Sequence, residues 1–338
     1  MAVLGAGSWG TALALHLARQ GHAVRIWGRD PALIAQLRLE RRNPVYLTDA
    51  VLPESVCPTD TLPAAIAGVD YVVVAVPSHG LRTLAEAMVA CLPEAAVVVS
   101  TTKGIEEGSL LRASEVLHEV LSPRQPVVVL SGPSFAAEVA RQLPTAVLAA
   151  SNDGSAASAV QCDFRGASLR LYASSDVTGV ELGGAVKNVI AIAAGVVESL
   201  GLGQNALAAL ITRGLAEMSR LAGALGGKRE TLAGLSGLGD LVLTCTSGQS
   251  RNRFVGLELG RGRQLPEILS GMRMVAEGVR TTHAVLALGL RHGIELPITE
   301  QMEQVLRHGK DPRQAVTELM LRPQRAEDEP RTDCARDQ

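Results

Sequence analysis

Short β-branched runs alternate with amphipathic stretches over the first half of the chain, and from Val177 to about Leu319 only helical periodicity remains. Val69–Val76, Ala95–Ser100 and Val127–Leu130 are continuous apolar runs, the pattern of strands buried on both faces of a parallel sheet. Helical segments near residues 79–91, 109–120 and 134–141 separate or follow them. Ala2-Val3-Leu4 and His22–Trp27 supply two earlier strands, the first two or three residues shorter than expected. Alternating βαβ units predict a doubly wound sheet with right-handed crossovers. Thr145–Ala150 and Leu169–Ala173 predict a strand pair that extends it.

The second half opens at Asp176, placed to cap a helix that runs to Gly201-Leu202-Gly203. Between Leu182 and Val197 that helix carries only two polar residues, Lys187 and Asn188, so it predicts a buried helix. Asn205–Ala224 predicts a second long helix, Gly234–Asp240 a glycine-rich turn, and Thr246–Arg253 a polar, basic cluster opening another helix. The 17 residues from Arg322 carry nine charges and predict a disordered tail. No internal repeat is evident.

Gly5-Ala6-Gly7-Ser8-Trp9-Gly10 lies between the first strand and the helical run Thr11–Arg19, the context that makes G-x-G-x-x-G a dinucleotide motif. Gly5 serves the tight turn, Gly7 the approach of a pyrophosphate, and Gly10 close helix–strand packing. The phosphates would sit on the free N–H groups of the helix start. The second strand ends in Trp27-Gly28 where an NAD-specific site usually has an acid, and Arg29 follows. Asp30-Pro31 reads as a helix cap, so Arg29 is the residue offered to a 2′-phosphate. This favours NADP(H), with NAD(H) also accepted. The fold class is therefore α/β: a Rossmann-like N-terminal domain over 1–174, an all-α substrate domain over 175–321, and the tail 322–338.

Composition narrows the partners. The 338 residues are 47% hydrophobic with net charge −2, giving no basic excess for nucleic acid. Aromatics at 2% are too few for base-stacking platforms. Five cysteines without a C-x-x-C pair argue for reduced thiols, not disulfides or a zinc site. No signal peptide precedes the glycine loop and no uncharged apolar run reaches 18 residues, so a cytoplasmic protein without membrane insertion is expected.

Three charged groups stand where packing would not place them: Lys103 at the ligand edge of the sheet, Lys187 in the apolar helix, and Asp240 among leucines and glycines. A buried lysine titrates low, finds a partner or does chemistry. Asp240 is either a simple helix cap or that partner. Ser250-Arg251-Asn252 at a helix start suits a small anion, although basic helix ends also serve solubility alone. The set suits hydride transfer to a ketone bearing a phosphate or carboxylate, with a lysine handling the hydroxyl proton.

The ordered series Gly5–Ala12, Ser100–Glu106, Ser131–Ala136, Gly179–Asn188, Gly237–Leu241, Ser250–Arg253 and Glu277-Gly278 resembles the bacterial NAD(P)-dependent sn-glycerol-3-phosphate dehydrogenases over nearly all of residues 1–320. The resemblance implies a homodimer that reduces dihydroxyacetone phosphate to sn-glycerol 3-phosphate for phospholipid synthesis. It implies Lys187 as proton donor and acceptor. Lys103, Gly132, Ser134 and Asp240, with Ser250, Arg251 and Asn252, would surround the substrate. Ser8, Trp9, Arg29, Lys103, Ala136, Arg251, Val275 and Glu277 would touch the cofactor. Ala137 and Gly248 depart from polar residues common in the family.

Two other readings use the same residues. A dehydrogenase of the same two-domain build acting on a β-hydroxy acid predicts turnover of a carboxylate lacking phosphate. A non-catalytic NADP-sensing binding protein predicts cofactor binding without turnover, and gives no reason for a lysine inside an apolar helix.

Overall fold

The computed structural model describes residues 1–324. Its strands are β1 (Ala2–Leu4), β2 (Val24–Trp27), β3 (Arg42–Asn43), β4 (Leu47–Val51), β5 (Val56–Thr59), β6 (Tyr71–Val74), β7 (Val97–Ser100), β8 (Val127–Ser131), β9 (Thr145–Ala150) and β10 (Leu169–Ser174). Eight form one sheet in the order β10-β9-β8-β7-β6-β1-β2-β5, while β3 and β4 pair separately. All pairs in the large sheet are parallel except β8 with β9. The strand order reverses between β1 and β6, so a crevice opens there at the C-terminal strand ends. Short as it is, β1 is paired along all three residues to β2 on one side and β6 on the other.

Alternate side chains of these strands enter opposite cores, as the two-residue period requires. Val3, Val73 and Val128 face α1 (Ser8–Arg19) and α2 (Pro31–Glu40). Leu4, Val72 and Val74 face α3 (Leu62–Ile66), α4 (Leu81–Met88) and α5 (Ala113–Val120). The short α6 (Ala136–Ala140) and α7 (Gly154–Asp163) return to the first face. Asp30 caps α2 through the N–H groups of Ala32 and Leu33, with Pro31 at the first turn. The predicted strand pair is present, with α7 crossing between its members.

After Ser174 the chain is helical throughout the described residues: α8 (Val177–Ser199), α9 (Gly203–Ala224), α10 (Arg229–Leu232), α11 (Asp240–Thr246), α12 (Arg251–Gly260), α13 (Leu265–Ser270), α14 (Glu277–Arg291), α15 (Pro297–His308) and α16 (Pro312–Met320). Asp176 caps α8 by accepting from Gly179 N at 2.9 Å. By length and composition α8 could cross a membrane, yet its whole apolar window is buried in protein. It is the axis on which the other helices pack. Glycines allow this: a Cβ on Gly256 would lie 1.8 Å from the Ile192 carbonyl oxygen, and one on Gly195 2.0 Å from that of Arg253. Backbones of α8 and α12 therefore touch directly.

The predicted turn at 234–240 is instead a π-helical turn, Leu235–Gly239, that runs straight into α11. The glycines here permit tight packing as well as turning. A Cβ on Gly237 would meet the Leu232 carbonyl oxygen at 1.9 Å, and one on Gly183 of α8 would meet that of Ser236 at 2.5 Å. Asp240 is thus the first residue of a helix pressed against α8. The charged stretch expected to be disordered lies, from residue 325 on, outside the described residues.

Candidate active site

Lys187 projects from the middle of α8 toward the first turn of α11. Its Nζ donates to Asp240 Oδ1 and to Thr244 Oγ1, both at 2.7 Å. Thr244 lies one turn beyond Asp240 and donates its own hydroxyl proton to the Asp240 carbonyl at 2.6 Å. The Thr244 oxygen therefore faces Lys187 as an acceptor. Two of the three ammonium protons are held, and the geometry leaves the third for another group.

Lys103 approaches the same carboxylate from the sheet. It follows β7, and its Nζ donates to Asp240 Oδ2 at 2.5 Å and to the Gly132 carbonyl at 3.0 Å. Gly184 of α8 lets the end of β8 come close, since a Cβ there would stand 2.8 Å from Ser131 Oγ, and it would only touch the Lys103 stem, at 3.5 Å from Cγ. One carboxylate is thereby gripped by a lysine from each half of the molecule. Asp240 is 1% exposed and Lys187 6%. Burial pushes the Lys187 ammonium down to about 8; the Asp240 carboxylate opposes the shift and the Lys103 ammonium adds to it. Burial would raise the Asp240 carboxyl, but the two ammonium groups outweigh it and hold the group below its ordinary range.

The glycine loop lies at the strand-order reversal. Gly5 has φ +119°, and a Cβ on it would stand 2.4 Å from the Ala75 carbonyl oxygen. A Cβ on Gly10 would meet the Gly5 oxygen at 1.9 Å, whereas Gly7 has nothing within 4 Å. Gly7 is also the N-cap of α1, which has no side-chain cap and no acid in its first turn. Packed glycines on either side of an open one, at a bare helix start, fit a pyrophosphate. Ser8 and Trp9 begin the helix, and Ser8 Oγ donates to Met274 Sδ at 3.2 Å.

Family comparisons follow this division of the chain. Residues 1–157 match the N-terminal family described as NAD-dependent glycerol-3-phosphate dehydrogenase, and residues 176–317 match its C-terminal counterpart. The chain belongs to the NAD-dependent glycerol-3-phosphate dehydrogenase family. A protein of Koribacter versatilis named glycerol-3-phosphate dehydrogenase [NAD(P)+] is 52% identical over 97% of this chain and 98% of its own length. One of the same name from a Geobacter species is 51% identical over the same shares. The crystal structure of glycerol-3-phosphate dehydrogenase from Coxiella burnetii superposes with a TM-score of 0.91 at 45% identity, covering 95% of this chain and 98% of that one.

Within this family fold the remaining sequence-predicted residues fall into separate places. Arg29 is exposed at the end of β2, with no hydrogen bond or ion pair from its side chain among the described residues. Ala136 opens α6, and it and Trp9 both pack against the core on that face of the sheet. Val275 precedes α14, and Glu277 begins it. Ser134 Oγ turns back to the Gly132 carbonyl at 3.0 Å. Gly132, at φ +141°, has no room for a side chain, because a Cβ would lie 3.1 Å from Val147 Cα.

The Ser250-Arg251-Asn252 cluster divides its work. Ser250 caps its own helix, accepting from Arg253 N at 3.2 Å. Arg251 is the exposed first residue of α12, and neighbouring protein lowers its pKa by desolvation against the opposing field of Glu277. Asn252 is buried, donating to Asn188 Oδ1 and accepting from Gly278 N, each at 2.9 Å. Three participants carried no role in the sequence reading: Thr244, Asn188 and Ser78. Thr244 had a readable signal, the four-residue spacing from Asp240 that places both on one helix face. Ser78 had only its place at the C-terminal edge of a strand, because its partner Glu277 is 199 residues away.

Proposed function

We propose that this chain is an NAD(P)-dependent glycerol-3-phosphate dehydrogenase that reduces dihydroxyacetone phosphate to sn-glycerol 3-phosphate and runs the reverse oxidation. One observation carries the reading: Lys187 and Lys103 meet on Asp240 at the C-terminal edge of the sheet. The nicotinamide dinucleotide, when bound, supplies or accepts the hydride. Gly5, Gly7 and Gly10 would hold its pyrophosphate, with Ser8, Trp9, Ala136, Val275 and Glu277 around it. Arg29 would take the 2′-phosphate of NADP(H), leaving NAD(H) usable without that contact.

The chain's own residues handle the proton and the charge. Asp240 and Thr244 fix the Lys187 ammonium so that its remaining N–H points at the carbonyl oxygen of the ketone. As negative charge develops on that oxygen, Lys187 passes the proton; in oxidation the neutral amine takes it back. A pKa of about 8 keeps both forms accessible near neutral pH. Lys103 anchors Asp240 and, with Gly132 and Ser134, lines the side of the pocket formed by the sheet. Arg251, with Ser250 and Asn252 at the start of α12, receives the substrate phosphate.

We further propose a cytoplasmic homodimer serving phospholipid synthesis, as the resemblance implies, divided into 1–174 and 175–321. Four described cysteines, at 57, 91, 162 and 245, are free thiols, which suits a reducing compartment. The deciding assay is NADPH oxidation on addition of dihydroxyacetone phosphate. An inert wild-type protein sinks the proposal, and turnover of a phosphate-free β-keto acid in its place would favour the hydroxy-acid reading.

A further inference from the structure

Ser78 belongs to the 3-10 turn Ser78–Gly80 after β6, in the sheet half of the molecule, and is 8% exposed. It holds a carboxylate from the helical half: its Oγ donates to Glu277 Oε2 at 2.6 Å and its N–H to Oε1 at 3.2 Å. Gly104 keeps this contact tight, since a Cβ there would come within 2.8 Å of Ser78 Cβ and 3.3 Å of Glu277 Oε2.

The contact continues inward. Glu277 is the first residue of α14, and the next N–H, that of Gly278, donates to Asn252 Oδ1 at 2.9 Å. The other end of that amide donates to Asn188 Oδ1 at 2.9 Å, on the residue that follows Lys187 in α8. With both ends engaged, the Asn252 amide has one orientation, and it dictates that of Asn188. Gly278 lets the elements close, because a Cβ on it would stand 2.6 Å from the Asn188 carbonyl oxygen. A contiguous line of hydrogen bonds and backbone therefore runs from the cofactor edge to the helix carrying Lys187.

We infer that Ser78 is a positioning residue that couples the two binding events. By holding Glu277 it sets the first turn of α14, and through Gly278 and Asn252 it sets the Asn188 amide of α8, the helix that carries Lys187. Dinucleotide bound against Glu277 then tightens the pocket for the phosphorylated substrate, and by linkage the substrate tightens the dinucleotide equally. The inference rests on the functional reading above.

NADPH and sn-glycerol 3-phosphate cannot react with each other, so their mutual effect is measurable without turnover. NADPH affinity is read from quenching of the fluorescence of Trp9 and Trp27 together, with and without saturating sn-glycerol 3-phosphate. In the wild type the alcohol tightens NADPH by about fivefold or more, the lower range of typical couplings. In Ser78→Ala the tightening falls below about twofold, and Ser78→Thr restores it. The KM for dihydroxyacetone phosphate rises roughly tenfold in Ser78→Ala, as loss of a charged hydrogen bond permits, while kcat holds within about threefold. Coupling that is absent from the wild type, or unchanged in Ser78→Ala, overturns the inference and leaves the enzyme reading standing. A wild type inert toward dihydroxyacetone phosphate overturns the enzyme reading before any variant is compared.

Discussion

Lys187 donates to Asp240 Oδ1 across 2.7 Å, and both side chains are almost wholly enclosed by protein. A pair so placed is costly to assemble and more costly to break, because either partner left alone is a buried, uncompensated charge. In the function proposed above, the pair holds a proton at a defined point.

Removing the ammonium tests that role. Lys187→Ala lowers kcat by roughly 10²–10⁴-fold, the usual contribution of a positioned acid, while NADPH affinity stays within about threefold. Retention of more than about a tenth of the wild-type rate would contradict the proton-transfer role.

Asp240→Asn leaves two lysines facing each other without their shared counter-ion. The variant loses about 3–5 kcal/mol of stability in a denaturant titration, the range for a broken buried pair. Without the carboxylate that opposes burial, the Lys187 pKa falls below about 8, so the basic limb of the reductive pH–rate profile moves to lower pH. A limb that stays in place would show that Asp240 does not set the donor.

Proton linkage gives two windows of opposite sign. Burial raises the Glu217 carboxyl from 4.5 to about 7, so between those values the folded chain binds more protons than the unfolded one. Stability attributable to Glu217 therefore falls as pH rises from 4.5 to about 7. Lys187 is lowered from 10.5 to about 8, so in that window the unfolded chain binds more protons and stability rises with pH. Urea titrations of Glu217→Gln and Lys187→Met against wild type isolate each slope. A difference curve that is flat across its window counts against the corresponding shift.

Arg29→Ala separates the two cofactors. Loss of a guanidinium–phosphate contact weakens NADPH by roughly tenfold or more and leaves NADH within about twofold, as measured by fluorescence titration. Equal losses would show that Arg29 does not read the 2′-phosphate.

Gly256→Ala places a methyl 1.8 Å from the Ile192 carbonyl oxygen, which forces α12 away from α8. The expected loss is about 3 kcal/mol, at the upper end for overpacking because the obstacle is backbone. Gly248→Ala, with nothing within 4 Å, is the control and stays within about 0.5 kcal/mol.

What local pattern could carry was legible. Uninterrupted β-branched runs marked the central strands, Asp30 and Asp176 marked helix starts, and the glycine spacing marked the tight turn between β1 and α1. The short strands β3, β4 and β5 were missed, and the glycines before Asp240 were read as a turn when they form a π-helical turn packed on α8. Glycine permits both, and which one forms depends on what it packs against.

Residue chemistry and near-neighbour spacing were enough to single out Lys187, Lys103 and Asp240 and to name the cofactor class. They could not say that the two lysines share one carboxylate, since Lys103 and Asp240 are 137 residues apart and Lys187 and Asp240 are 53 apart. Pairing over such distances is fixed by how closely the elements pack. Gly183 and Gly237 admit neighbouring backbone and Gly184 admits Ser131 by having no side chain, and in a sequence such glycines look like any others. The Ser78–Glu277 contact lies on the same side of that divide: each residue is unremarkable in its own segment, and folding alone makes them partners.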